Sequence, residues 1–237
     1  MTEKKIENQK RSFEIRDYKP GDEAAICALF EKVFGKPMGK TESLRHWQWE
    51  FLENPAGGLF VKLAWDKERL VGQYTASSVR MYANGRNITA ALSHDTMTDP
   101  KYGGLGIFRT TAEAVYTALT NAGQSFIYGF PNRNSIHGFK KNLNWLQIMP
   151  APVHIRPVRV TKNIARKIFP GERSSKKEGV FLNTTALPFY ESGVYNLRIE
   201  SEFGDWADEL WMRCRDQHSL WVVRNKAYLN WRYVAKP

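Results

Sequence analysis

The segment from Leu92 to Phe108 constrains the fold most, because an apolar run ends there at a proline turn and passes through a glycine-rich loop into a helical pattern. Glycine allows the main chain to approach a ligand closely. The free N–H groups in the first turn of the following helix point outward, with the positive end of the helix dipole behind them. The segment therefore predicts a strand–loop–helix unit that binds an anion such as phosphate or pyrophosphate.

The loop fits neither of the two best-known phosphate-binding loops. It lacks the Gly-Lys-Ser/Thr ending of a nucleoside triphosphate loop, and no acidic residue ends a second strand about 20 positions later, as a dinucleotide fold requires. What remains is a short Tyr-Gly-Gly-x-Gly-Ile-Phe sequence from Tyr102 to Phe108. A glycine-rich turn that binds no ligand is the alternative interpretation.

Hydrophobic periodicity predicts the order of the elements around this loop. An antiparallel meander of three strands leads into the loop, and a β-loop-α-β unit and a further helix follow it. Strands are expected at residues 13–18, 59–65, 69–81, 87–98 and 125–130, and helices at residues 23–34, 41–52, 107–122 and 136–142.

This order, and the residues within it, resemble the GNAT acetyltransferase superfamily over residues 13–147. The glycine loop is similar to the family's Arg/Gln-x-x-Gly-x-Gly/Ala coenzyme loop. Two further segments carry the resemblance, Tyr18-x-Pro-Gly-Asp-Glu at the first helix and Gly129-Phe-Pro-Asn-x-Asn-Ser with Phe139-Lys-Lys-x-Leu-x-Trp after the last strand. The resemblance implies an α/β (α+β) fold with a central, mixed, mostly antiparallel twisted sheet flanked by helices.

Two registers align the loop with the family pattern. In the first, Lys101, Gly104 and Gly106 occupy the key positions, with lysine in place of arginine. In the second, Gly103, Gly106 and Phe108 occupy them. The second register is preferred because the proline and the isoleucine that flank the glycines then also match the family. Either register lacks the arginine but keeps the backbone cradle.

The resemblance implies acetyl-CoA as a co-substrate and no metal. Backbone groups near Met97 and Thr98 would pair with the pantetheine arm, and backbone amides of the loop and the first helical turn would hold the pyrophosphate. Asn132 or Asn134 would contact the coenzyme, although helix capping also explains Asn134. The amides are those of Gly104, Leu105, Gly106, Ile107, Phe108 and Arg109.

The resemblance also implies that a free amine attacks the thioester in a ternary complex, which requires a proton acceptor and favours a proton donor. His94 and Asp95 lie on the strand before the loop, and side-chain alternation predicts that only one of them faces a cleft. Asp95 is the candidate base, with an ordinary hydrogen-bonded carboxylate as the alternative. Phe139 or Lys140 replaces the family's usual tyrosine acid, so His137 is the candidate donor, with a surface histidine as the alternative.

Two tryptophans, Trp47 and Trp49, lie in the second predicted helix, which in the family helps to form the acceptor site. Residues two apart on a helix point to different sides, so at most one of them faces a substrate groove. There it would stack on a sugar or aromatic ring. Core packing is the alternative for both.

The net charge of +11 raises the hypothesis of a nucleic-acid partner. The densest basic stretch, Arg156 to Lys177, contains prolines that interrupt a recognition helix, and no nucleic-acid-binding motif accompanies it. A nucleic-acid partner is therefore not expected. The two cysteines lack metal-ligand spacing, and neither a signal peptide nor a long apolar window is evident, so a cytoplasmic location is expected.

The predicted organisation is a disordered segment over residues 1–11, an acyl-CoA-binding domain over 12–150 and a C-terminal extension over 151–237. The extension predicts strands at 153–160 and 195–199, a polar linker at 174–179 and a helix at 206–215. Its end, Trp221 to Tyr233, resembles an Arg-x-x-x-Tyr-Leu-x-Trp-Arg-Tyr stretch of two-domain bacterial GNAT proteins related to Fem-type transferases. The extension is expected to be part of a second GNAT-like domain, and either that domain is incomplete or the protein is a truncated form.

The sequence thus predicts an acyl-CoA-dependent N-acyltransferase that transfers acetyl to a primary amine of a small molecule or amino sugar. A Fem-like aminoacyltransferase using charged tRNA suits the positive charge, but the glycine loop favours coenzyme A. A non-catalytic acyl-CoA sensor or a basic nucleic-acid-binding module is the alternative from another class. No sequence feature names the acceptor amine or the oligomeric state.

Overall fold

A computed structural model describes residues 12–35, 40–149, 190–192, 195–197 and 200–237. The chain divides into two compact units. The first comprises the described residues up to Leu146 together with Glu202–Pro237, and the second is Gln147–Ser201. The predicted N-terminal segment, the strand at 153–160, the linker at 174–179 and the basic stretch at 156–177 lie outside the described residues.

The first unit is built on a mixed sheet of six strands. Its order is β1-β2-β3-β4-β5, and β8 pairs with the end of β3. All neighbours are antiparallel except β4 and β5, which are parallel. In the second unit, β6 and β7 pair antiparallel. The strands are β1 (Glu14–Asp17), β2 (Leu59–Asp66), β3 (Arg69–Ala83), β4 (Arg86–Thr98), β5 (Ile127–Gly129), β6 (Tyr190–Ser192), β7 (Tyr195–Leu197) and β8 (Leu220–Val222).

Six α-helices accompany the strands in the part of the chain that the structure describes. Two of them continue into π-helical turns, α2 through Gln48–Leu52 and α6 through Asn230–Val234. Short 3₁₀ turns occur at Pro100–Tyr102 and Arg215–Gln217. The helices are α1 (Glu23–Phe34), α2 (Lys40–Trp47), α3 (Ile107–Asn121), α4 (Ile136–Leu143), α5 (Trp206–Cys214) and α6 (Lys226–Leu229).

The predicted fold class is confirmed, with a mixed, mostly antiparallel sheet flanked by helices. The predicted extension from 151 to 237 is divided between the two units. Leu220–Val222 joins the main sheet beside Met81–Ala83, so the C-terminal segment Glu202–Pro237 packs with the first unit. Among the described helices, none combines the length and the apolar character that crossing a membrane requires.

Apolar side chains cover both faces of the sheet. Leu63 of β2 packs against α1 and α2, whereas its neighbour Ala64 packs in a cluster with Ile107 of α3. Because successive side chains of a strand point to opposite faces, α1 and α2 cover one face and α3 covers the other. The sheet therefore holds the loop before α3 in a fixed position.

Gly72 of β3 allows the first turn of α3 to approach the sheet closely. A Cβ at this position would overlap Cγ2 of Ile107, whose side chain is fully buried. We expect Gly72→Ala to lower the free energy of unfolding by about 1–3 kcal/mol, because the buried isoleucine must move. Denaturant unfolding measures this change.

The matched control is Gly103→Ala in the loop, where a Cβ would make only an ordinary contact with the carbonyl oxygen of Pro100. Gly103 has a negative φ that alanine adopts without strain. An equal loss of stability in both variants would contradict the close approach of α3 as the cause.

Candidate active site

The two parallel strands of the sheet separate at the middle of β4. β4 and β5 pair only between Ala91–Ser93 and Ile127–Gly129, although β4 continues to Thr98. Beyond this point a cleft of about 990 Å³ opens, lined by the end of β4 and by the residues that follow β5. The separation exposes an edge of β4 backbone that has no partner strand among the described residues.

A β-bulge lies at the mouth of this cleft. Gln73 faces Met97 and Thr75 faces His94, so β4 contains one more residue than β3 between these pairs. The bulged Asp95 has a φ of 48°, and its carbonyl accepts a hydrogen bond of 3.0 Å from Nε2 of Gln73. Bulges change the direction of side chains, and here both His94 and Asp95 line the cleft. The expectation that only one of them faces it is therefore wrong.

Glu50, in the turn after α2, joins these two residues in a cluster. Its carboxylate oxygens lie 3.4 Å from Nδ1 of His94 and 3.5 Å from Nε2 of His46. The other ring nitrogen of His94 lies 2.9 Å from Oγ of Ser77. One side-chain ligand atom from each of Glu50, His94 and Asp95 lies within 4.8 Å of the others.

The two carboxyl groups of this Glu50–His94–Asp95 cluster differ in basicity. Burial alone would raise the pKa of Glu50, but the bond to His94 and the charges of His94, His46 and Arg232 outweigh it and lower that pKa. Burial and the neighbouring Glu50 charge raise the pKa of Asp95, against the opposing effect of the two histidines. The cluster therefore combines an ionised carboxylate with a second carboxylate that is a stronger base.

The same spacing would also admit a metal ion. However, the two ring nitrogens of His94 already face Glu50 and Ser77, so a metal would have to displace one of these contacts. Without a metal, the arrangement can hold a proton between the Glu50 carboxylate and the His94 ring.

The glycine loop follows β4 after the short 3₁₀ turn Pro100–Tyr102. Gly104 and Gly106 have φ values of 80° and 81°, and both are exposed. A Cβ at Gly104 would meet nothing within 4 Å, and at Gly106 only Oγ1 of Thr110 at 4.0 Å. Gly106 precedes α3 as its N-cap without a side-chain cap, so the first-turn N–H groups of the helix remain available to a ligand. The loop therefore fits an anionic group.

Asp99, directly after β4, is fully buried and caps the 3₁₀ turn that leads into the loop. Its carboxylate accepts hydrogen bonds from Nζ of Lys32 at 2.5 Å, Nη2 of Arg69 at 2.9 Å and the backbone N–H of Lys101 at 3.0 Å. Burial alone would raise the pKa of Asp99, but these partners outweigh it and lower the pKa. The Tyr102 hydroxyl also donates to a carboxylate of β2, at 2.5 Å.

A family model for the acetyltransferase (GNAT) domain matches residues 14–145, which is more than half of the chain. The chain belongs to the GNAT acetyltransferase family. A search of curated proteins gives no match for this GNAT protein.

Solved structures agree with the GNAT fold. A putative acetyltransferase from Agrobacterium tumefaciens is 18% identical, with a TM-score of 0.50, over 61% of this chain and 99% of its own. A predicted acetyltransferase with acetyl-CoA from Clostridium acetobutylicum is 12% identical, with a TM-score of 0.51, over 61% and 96%. A transcriptional regulator from Bacillus halodurans is 15% identical, with a TM-score of 0.51, over 61% and 100%. At these identities the likeness shows the fold alone.

The residues predicted to hold the coenzyme lie along β4, the loop and the start of α4. The Met97 side chain is buried in the core, so only its backbone faces a ligand, and Thr98 is half-buried. Asn132 and Asn134 both line the cleft. The side chain of Asn132, not that of Asn134, accepts the backbone hydrogen bonds before α4, from Asn134 and Ser135. In the loop, Leu105 and Arg109 are exposed, Phe108 is half-buried and Ile107 is buried.

The two predicted substrate tryptophans are both buried. Trp47 packs against Tyr18 and Phe51 in the core. Trp49 is 1% exposed because Trp231 stacks on it with ring centroids 5.1 Å apart. Neither tryptophan is therefore placed to stack on a substrate, as was expected for one of them, and both pack in the core instead.

The candidate proton donor, His137, is exposed on α4 and is not among the residues that line the cleft. Tyr128 of β5 does line it, and burial raises the pKa of this tyrosine to about 12, with a smaller effect from Tyr228. At neutral pH its hydroxyl is protonated, as in an ordinary tyrosine, and can donate a hydrogen bond, whereas the raised pKa makes it a weaker acid. Tyr128 was missed because it lies within an apolar strand pattern.

The C-terminal segment supplies a further wall of the cleft. Its lining residues include Trp221, Tyr228 and Arg232, none of which the sequence singled out for a site. Glu50 was missed too, because it lies between tryptophans in a helical pattern. Its spacing of four residues from His46 is the one local signal, since residues four apart meet on a helix surface.

Proposed function

We propose that this GNAT protein transfers an acetyl group from acetyl-CoA to a primary amine of a small molecule, such as an amino sugar. The observation that carries the proposal is that β4 leads from the Glu50–His94–Asp95 cluster, along a free backbone edge and through one short turn, into the glycine loop. A single strand thus links a proton-accepting group to an anion cradle. The cytoplasm, where acetyl-CoA is available, is the compartment that this function favours.

The chain's own residues fit coenzyme A along the unpaired end of β4 and in the loop that follows it. The amides of residues 104–109 would hold the pyrophosphate, and the backbone near Met97 and Thr98 would pair with the pantetheine arm. The open space around Gly104 and Gly106 supports this assignment. Bound acetyl-CoA supplies the acetyl group as a thioester.

The cluster would prepare the amine for attack. Ionised Glu50 attracts the ammonium group, and Asp95, as the stronger base, accepts one of its protons. The nitrogen–carbon bond forms as the carbon–sulfur bond breaks, and a second amine proton ends on the thiolate. Tyr128 donates a hydrogen bond to the leaving sulfur. Holding both substrates in one cleft supplies further rate enhancement.

The direct test measures free thiol released from acetyl-CoA in the presence of a panel of primary amines, with mass spectrometry of the products. The proposal predicts thiol release that depends on the amine and an acetylated amine as product. Coenzyme A binding without release for any amine would instead support a non-catalytic sensor.

Replacing Gly106 by valine is expected to weaken coenzyme A binding by about tenfold or more. A β-branched residue is strained at the positive φ of this position, and its side chain enters the space that a pyrophosphate would occupy. Isothermal titration with coenzyme A measures the effect.

The matched control is Gly123→Val at the opposite end of α3. Gly123 also has a positive φ, of 68°, with nothing within 4 Å of a Cβ. The control carries a similar strain but lies away from the loop, so its coenzyme A affinity should stay unchanged. Equal affinity in the two variants would overturn the assignment of the loop.

A further inference from the structure

The C-terminal segment is attached to the turn after α2 by a reciprocal contact between two tryptophans. The indole N–H of Trp49 donates to the carbonyl of Trp231 at 2.7 Å, and that of Trp231 donates to the carbonyl of Trp49 at 2.9 Å. The rings stack with an interplanar angle of 21°. Hydrogen bonds and stacking together fix the position of the residues around Trp231.

The same segment is also fixed internally. The side chain of Asn230 accepts from the backbone N–H of Phe203 and donates to its carbonyl, both at 2.9 Å. The backbone N–H of Lys226 donates to Asp208 at 2.7 Å. The turn Asn230–Val234 is therefore held from two sides, and a side chain on it is presented in a defined place.

Arg232 is the cation that this turn presents to the cleft. Its side chain is half-buried, lines the cleft, and lies with Cζ 5.8 Å from the centre of the Trp49 ring. The nearby carboxylate of Glu50 pairs instead with His94 and His46. Arg232 takes part in none of the ion pairs found between described residues, so its guanidinium has donors left for a ligand.

The cleft thus carries opposite charges on different elements. Glu50 and Asp95 lie on the α2 turn and β4, and Arg232 lies on the C-terminal turn. We infer that the acceptor is an amine that also carries an anionic group, a carboxylate or a phosphate, and that Arg232 binds this group while Glu50 attracts the amine. This inference rests on the proposed function and names its substrate class. Arginine suits both anions because its planar fork matches their oxygens.

A second role for Arg232 has to be distinguished from anion binding. Its charge also acts on Glu50, and a residue with that role alone would only help to keep the carboxylate ionised. Loss of such a positioning role would slow every amine equally. Loss of an anion-binding role would slow only the amines that carry an anion.

The experiment therefore uses matched pairs of amines with the full chain. Phosphoethanolamine is compared with ethanolamine, glucosamine phosphate with glucosamine, and an amino acid with its carboxamide, by thiol release from acetyl-CoA. We expect kcat/KM to be about 10- to 100-fold higher for the anionic member of at least one pair. A hydrogen bond to a charged group contributes a free energy that corresponds to a factor of this size. The pair that shows the preference identifies carboxylate or phosphate.

Three variants complete the test. Arg232→Gln should remove the preference by raising KM for the anionic amine alone, and Arg232→Lys should keep part of it. Arg224→Gln, at an exposed arginine of the same segment that does not line the cleft, should keep all of it. Melting temperatures show whether each variant is folded.

Equal kcat/KM for the two members of every pair would overturn the inference and leave the proposed function standing. An equal loss for neutral and anionic amines in Arg232→Gln would overturn it too, and would make Arg232 a positioning residue for Glu50. No thiol release with any amine would overturn both the inference and the proposed function.

Discussion

The Asp95→Asn variant is expected to lose about 10²- to 10⁴-fold in kcat, the usual contribution of a general base. Asparagine has the size of aspartate and tolerates the positive φ of 48° at this bulge, so the backbone of β4 should keep its shape. What the substitution removes is the group proposed to accept the amine proton.

The same variant should keep or raise its melting temperature at pH 7. Burial and the Glu50 charge raise the pKa of Asp95 in the folded protein above its unfolded value. A carboxyl group with a raised folded pKa stabilises the fold only at low pH, and this contribution is lost as the pH rises through that pKa. At neutral pH the ionised group is therefore a cost, which asparagine avoids.

Steady-state kinetics over a range of pH tests the role of Asp95 as the base. Thermal unfolding tests its effect on stability. For the wild type, kcat/KM should rise with pH as Asp95 loses its proton, and Asp95→Asn should lack this rise. A variant with normal kcat would exclude Asp95 as the base. A variant with a strongly lowered melting temperature would make Asp95 a structural residue instead.

The second large effect concerns stability. Asp99→Asn should lower the free energy of unfolding by about 2–3 kcal/mol, because a fully buried carboxylate loses its charged hydrogen bonds with Lys32 and Arg69. The two cations are partly exposed and can be solvated again, which limits the loss. In a chain of this size the melting temperature should fall by about 5–10 °C. Thermal and denaturant unfolding measure both quantities.

Asp17→Asn is the matched control, because Asp17 forms a single ion pair with Lys62 on the surface. Its loss should stay below about 1 kcal/mol. Because the pKa of Asp99 is lowered in the folded state, its contribution is present above the unfolded pKa and disappears as the pH falls through the folded pKa. The difference between the two variants should therefore vanish in acid, and a difference that persists there would contradict the ionic origin.

Local patterns predicted the parts of the fold that depend on nearby residues. The helix at residues 23–34 is observed with the same bounds, because its apolar spacing, its acidic first turn and Gly35 after its end all act within a few residues. The glycine loop could be predicted for the same reason, because the left-handed φ of Gly104 and Gly106 is a property of the local chain.

The site was less predictable because its parts meet across long distances in sequence. Asp95 was chosen from its strand, but its placement beside His94 depends on a bulge against Gln73, which no periodicity of β4 indicates. Glu50 becomes a site residue only when the α2 turn packs beside β4. Arg232 becomes one only when the segment around Trp231 packs against Trp49. Pairings of this kind are set by packing, which a single sequence does not show.

The contact between Trp49 and Trp231 joins residues 182 positions apart, so it can form only after the chain between them has been synthesised. During synthesis, the glycine loop and the separated strands β4 and β5 are complete well before Trp231 leaves the ribosome. The nascent chain therefore gains its anion cradle before the wall that carries Arg232. A chain that has been synthesised only as far as the cradle therefore lacks the arginine that we infer to bind the acceptor.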